Sequence, residues 1–93
     1  MRKSIMQDER ECFVCHSKGW LERHHLFFGP ALRTISERMG LVIWLCEYHH
    51  RDNKHGVHGN RKLDLELKRM AQRKYEETHS REEWMEKIGR NYL

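Results

Sequence analysis

Long apolar runs are missing from this chain. Its most apolar stretch, Leu41-Val42-Ile43-Trp44-Leu45, ends at Cys46, far short of the about 20 residues that a membrane-spanning helix needs. The opening MRKSIMQDERE lacks the apolar segment of a secretory leader. Both absences predict a cytoplasmic setting with no membrane partner, where thiols stay reduced. Core-forming residues are scarce as well. Leu, Ile, Val and Phe supply 19 of the 93 positions, close to the level at which chains no longer fold by burial alone. So small a domain with so thin a core needs a staple, either disulfides or a metal. Three cysteines cannot all pair within one chain, which argues against disulfides. The chain has one proline, and no repeat, low-complexity tract or linker divides it.

What it does have is charge and histidine. The net charge is +4 with the eight histidines counted as neutral. That balance leans toward polyanionic partners such as nucleic acid without requiring one. Three residues each of Trp, Tyr and Phe argue for a folded domain.

Read along its length, the chain begins with a charged lead-in over 1–11 and a tight knuckle from Cys12 to Cys15. Residues 19–26 predict a short strand. Residues 30–39 predict a helix, with Pro30 at its first position, Gly40 as its C-terminal cap, and Leu32, Ile35 and Met39 on one face. The run 41–45 predicts the most buried strand. Residues 47–60, EYHHRDNKHGVHGN, predict a polar, histidine-crowded turn. From Arg61 to about His79, the spacing of Leu63, Leu67, Met70, Ala71 and Tyr75 predicts a long helix, with Asn60 able to cap it. Ser80-Arg81-Glu82-Glu83 matches a capping box ahead of a last short helix in 80–93. The fold class is α+β, with residues 12–79 as the main unit and 80–93 packed on it.

The pentapeptide Cys12-Phe13-Val14-Cys15-His16 fits two chemistries, haem attachment and half of a zinc site. A reducing compartment disfavours haem, and Cys46-Glu47-Tyr48-His49 supplies the missing half of a zinc site. Cys12, Cys15, Cys46 and His49 make a Cys₃His set suited to tetrahedral Zn²⁺, and they use every thiol. Structural zinc contributes about 10–16 kcal/mol of apparent binding energy in small peptides, against a total domain stability of about 5–15 kcal/mol. The zinc is therefore expected to be a folding requirement. His16 is left with no role.

Zinc leaves many histidines over. His24 and His25 end the first expected strand, His50 follows His49, and His55 and His58 lie near Asn53 and Asn60. Packing does not account for such clustering. With CFVC at 12–15, RHHL at 23–26 and LCEYHH at 45–50 in this order, the chain resembles the HNH endonucleases. These are the ββα-metal nucleases (His-Me fingers) of phages, homing introns, colicin-type toxins and CRISPR effectors. The likeness covers residues 12–60, and KLDLELKRMAQRKYEE resembles the helix that follows in small phage members.

The resemblance implies a small zinc-stapled ββα-metal domain with additional C-terminal helices, acting as a metal-dependent endonuclease on DNA. His25 would be the general base that takes a proton from water. His24, His50 and His58 would hold a divalent ion that stabilises the leaving 3′-oxygen, with Asn60 and Asn53 as further metal or substrate ligands. Hydrolysis with in-line geometry needs groups on both sides of phosphorus, and adjacent strand residues such as His24 and His25 point to opposite faces. An imidazole-rich site favours Mn²⁺ or Ni²⁺ over Mg²⁺, with Mg²⁺ as the alternative. Two departures stand out: Gly40 and Leu41 occupy the place of the family's usual asparagine, and His24 stands where many relatives carry aspartate.

Arg23, Arg33, Arg38 and Arg51 are the expected backbone contacts to DNA, which position it without reading bases. The mixed charges of the long helix read as a solvated face, and Trp20, Trp44 and Trp84 read as core. RNA stays open as a substrate, and a second copy of the chain or a phage packaging or recombination machine stays open as a partner. The contrasting reading is a zinc-stapled binding module without catalysis, which explains the Cys₃His set but not the other histidines.

Overall fold

Two short strands form where apolar and β-branched residues concentrate. In the computed structural model of the protein, which describes residues 3–93, β1 (Leu21–His25) and β2 (Val42–Cys46) pair antiparallel. Leu21 stands opposite Cys46, and His25 opposite Val42. Met1 and Arg2 of the lead-in lie outside the described residues. Val42, Ile43 and Leu45 are buried, because β2 is covered on both faces, as its unbroken apolar run predicts.

The link between the strands carries helix α1 (Leu32–Met39). It starts two residues later than expected, leaving Pro30 in the turn ahead of it. Its end is set by Gly40, at φ 73°, whose N–H bonds back to Ser36 and Glu37 carbonyls. A Cβ at Gly40 would lie 2.6 Å from the Lys3 carbonyl oxygen, so the close approach of the N-terminal segment admits only glycine there. Leu32, Ile35 and Met39 are half-buried against the core, as their spacing predicts. Ser36 is buried and bridges the Phe27 backbone, donating to its carbonyl at 2.7 Å and accepting from its N–H at 3.1 Å.

The expected turn after β2 begins instead as a helix, α2 (Glu47–Arg51). The spacing of Cys46 and His49 reads equally as a turn or as one helical pitch, and the extended Cys46 serves as its N-cap. Helix α3 (Arg61–Tyr75) is capped by the Asn60 side chain, which accepts from the Leu63 N–H at 3.1 Å. It stops at Tyr75 rather than continuing to about His79. Thr78 and His79 N–H groups turn back onto the Tyr75 carbonyl. Helix α4 (Arg81–Ile88) carries both halves of the predicted capping box.

Trp84 of α4 is fully buried against Phe27, ring centroids 5.4 Å apart, with its indole N–H satisfied by the Arg90 carbonyl at 2.8 Å. Leu26, Phe27, Leu41, Ile43, Leu45, Leu67 and Ala71 complete the core. Two expectations fail. Met70 is exposed, because α3 turns Asp64 and Lys68 inward as a buried ion pair at 2.9 Å. Trp20 is not core at all but 76% exposed. Among the described residues no helix is long and apolar enough to cross a membrane.

Candidate functional site

Two clusters of ligating side chains form at opposite ends of the strand pair. At one end, the knuckle turns on the Cys12 carbonyl, which accepts from the His16 N–H at 2.8 Å, and His16 takes a left-handed φ of 66°. The Phe13 N–H donates to the Trp44 carbonyl at 2.8 Å, fastening the knuckle to β2. This brings Cys12 and Cys15 to Cys46 at the end of β2 and His49 on α2. The Cys15 and Cys46 sulfurs are 3.8 Å apart. His49 Nδ1 lies 3.3 Å from the Cys46 sulfur and 3.8 Å from that of Cys12.

Those separations test the fit to a metal. A tetrahedron with metal–sulfur bonds of about 2.3 Å has sulfur–sulfur edges of about 3.8 Å. The four residues could therefore hold one ion, and the set is compatible with structural zinc. The Ser17 hydroxyl, then its backbone, pulls the Cys15 thiol down to about 6, toward the thiolate that a metal requires. Burial pushes Cys46 up, a cost that a bound cation would offset. His16 lies outside the cluster and pairs with Glu11.

At the other end, β1 delivers His24, α2 delivers His50, and the loop before α3 delivers His58. The three ligand atoms lie within 4.8 Å of one another. His50 Nε2 and His58 Nε2 are 3.1 Å apart. Adjacent nitrogens at bond lengths of about 2.1 Å and near-right angles would be about 3.0 Å apart. The Nε2 of His24 is buried with no hydrogen-bond partner, a costly state that a cation would relieve. Burial, then the neighbouring histidines, pushes His24 down to about 3, and burial also lowers His58. Both are thus neutral at pH 7 and have lone pairs to offer. The residues fit a second cation.

A carboxylate orients His50. Its Nδ1 lies 2.7 Å from Glu22 Oε1, which also accepts from the Arg51 Nε at 2.7 Å. The Arg51 hydrogen bond, then that of His50, holds the Glu22 carboxyl well below the usual carboxylate range. A charged carboxylate can only accept, so His50 holds a proton on Nδ1 and turns its Nε2 toward His58. Glu22 and His24 are two apart on β1 and share a face.

His25 lines the same cavity, of about 290 Å³, together with His24, His50 and His58, the arginines 23, 33 and 51, and Phe28. Its Nε2 lies 3.0 Å from Glu37 Oε1 on α1, and Arg23 Nη2 reaches Glu37 Oε2 at 2.9 Å. The same reasoning puts a His25 proton on Nε2, so Nδ1 is the nitrogen that could take up another. The arrangement can thus bind a cation and accept a proton, with the exposed Arg33 at the cavity for an anion.

Not every expected residue joins this cavity. Asn60 is engaged as the α3 cap. Asn53 is exposed, with its backbone packed close to Gly59. Arg38 lines a larger, mostly apolar hollow of about 440 Å³ with Ile5, Met39, Tyr75 and His79, which shares no residue with the histidine cavity. His55 pairs with Asp52. Glu22 and Glu37 escaped sequence reading, because nothing in their spacing marks them: the sheet register brings one to His50, and the packing of α1 brings the other to His25. Comparison with protein-family models, curated proteins and solved structures finds no match to this chain.

Proposed function

We propose that the protein is a metal-dependent endonuclease of the HNH type, hydrolysing DNA phosphodiester bonds. The observation that carries the reading is His24, whose Nε2 is buried and unpartnered, clustered with His50 and His58, with His25 in the same cavity. A zinc staple at Cys12, Cys15, Cys46 and His49 and a second cation at the three histidines make the two sites of a ββα-metal finger. The second cation would supply positive charge for the phosphate and the leaving 3′-oxygen.

The chain's own residues do the remaining work. His25, held by Glu37, takes a proton from water at Nδ1. Arg33 is exposed at the cavity and meets a phosphate, while Arg23 and Arg51 line its wall. A binding module would need neither the orphaned His24 nitrogen nor a histidine base beside it.

Supercoiled-plasmid cleavage tests this. Wild type should nick or linearise the plasmid, faster with Mn²⁺ or Ni²⁺ than with Mg²⁺ at equal concentration, because imidazole donors suit the softer ions. His25→Ala should lose about 10²- to 10⁴-fold in rate with its metal content unchanged. Wild type without cleavage in any of these ions, or undiminished cleavage by His25→Ala, would reject the assignment.

A further inference from the structure

Three aromatic side chains of the described residues stay exposed, one of them lining the histidine cavity and another beside Arg51 of its wall. Trp20, Tyr48 and Phe28 are 76%, 50% and 48% exposed, whereas every other Phe, Tyr and Trp is buried or half-buried. Phe28 lines the histidine cavity, its ring 5.4 Å from that of His58. Trp20 stands two residues before Glu22, the carboxylate that holds His50 and Arg51. Tyr48 shares a hollow with Arg51 and stacks on His55, centroids 5.0 Å apart and 18° from parallel. Arg33, at the cavity, is exposed as well.

A surface that sets exposed aromatic faces near guanidinium groups matches a particular polyanion. In a duplex the faces of the bases are stacked on each other, so a protein meets phosphates and base edges. Indole and phenyl faces find partners only where bases are unstacked. Each base–aromatic stack there contributes about 1–3 kcal/mol, whatever the base. Leaving Trp20 and Phe28 in water has no packing rationale in this thin core.

We infer that this surface binds unpaired nucleotides, so that the substrate is DNA that is single-stranded at the bond cut: a free strand, flap or loop. The inference rests on the nuclease reading for the cut but not for the binding. Fluorescence anisotropy separates the two, using zinc-replete His25→Ala protein and labelled DNA of about 16 nucleotides. The single strand should bind at least 10-fold more tightly than a duplex of the same sequence. Adding Trp20→Ala or Phe28→Ala should weaken the single strand about 5- to 100-fold and leave the duplex unchanged. Trp20→Phe, which keeps a stacking face but loses the N–H, should retain most of the affinity. That result distinguishes stacking from hydrogen bonding by the indole N–H. Equal affinity for strand and duplex, equal losses on both, or tighter binding of single-stranded RNA than DNA overturns the inference. Selective strand binding by a wild type that never cuts would sustain the binding surface and sink the nuclease reading alone.

Discussion

At the scale of single residues, two carboxylates divide the labour of the histidine cavity. Glu22 holds His50, one of the three clustered nitrogens, while Glu37 holds His25, which stands outside that cluster. The two substitutions should therefore separate. Glu22→Ala frees the His50 ring to turn, and loss of such a partner typically lowers metal affinity about 10- to 100-fold. Glu37→Ala should leave metal affinity untouched and lower kcat with little change in KM, because it would release only His25, the proposed base. Glu37→Gln should recover much of that loss, since its amide oxygen still accepts from Nε2–H. Metal titration by calorimetry, alongside steady-state cleavage, reads both effects. If Glu37→Ala weakened the metal as much as Glu22→Ala does, the division would be wrong.

At the scale of elements, the loop between α2 and α3 decides whether His58 meets His50. Residues 52–60 fold back tightly: the Val57 N–H donates to the His49 carbonyl at 2.8 Å, and the Gly56 N–H to the Asp52 carbonyl at 2.9 Å. A Cβ at Gly59 would lie 2.3 Å from the Asn53 carbonyl oxygen, and one at Gly56 would lie 2.5 Å from the Asp52 nitrogen. Backbone, not a flexible side chain, would have to move. Gly59→Ala should therefore displace His58, weakening the exchangeable metal while the Cys₃His metal stays bound. It should also destabilise the domain by about 1–3 kcal/mol. Elemental analysis and thermal melting of this variant check both halves. The same loop shows where sequence reading succeeds and stops. The apolar run 41–45, the capping box at Ser80 and the Cys₃His spacing are local signals, and each reappears as β2, the start of α4 and the sulfur cluster. The short helix α2 was hidden because a ligand pair three residues apart fits a turn or a helix equally. Trp20 was misread because aromatic content alone does not say which rings find a core, and the core is already filled by Trp84, Phe27 and the strands. Glu22 and Glu37 become visible only when register and helix packing exist.

At the scale of the whole molecule, the two clusters differ in what depends on them. The Cys₃His residues come from the knuckle, β2 and α2, so one ion there joins the beginning of the chain to its middle. The N-terminal segment also reaches that middle through the Ile5 N–H to the Gly40 carbonyl at 2.9 Å, the Phe13 N–H to the Trp44 carbonyl at 2.8 Å and the Trp44 N–H to Gln7 Oε1 at 2.6 Å, but none of these bonds is as strong as ligation to a common ion. The histidine cluster joins β1, α2 and the loop before α3. That region already holds the strand pairing and the Glu22 and Glu37 contacts. Stripping metal should consequently proceed in two stages. A mild chelator should remove the ion at His24, His50 and His58, abolishing cleavage while the far-ultraviolet circular dichroism stays native. A strong chelator, or a thiol-specific mercurial, should then release the second ion and unfold the domain. A staple worth about 10–16 kcal/mol is as large as the whole stability of a domain this size, about 5–15 kcal/mol. Ion release and loss of ellipticity should coincide in that second stage. Ellipticity that survives removal of both ions would mean that the apolar core, thin as it is, folds the chain unaided.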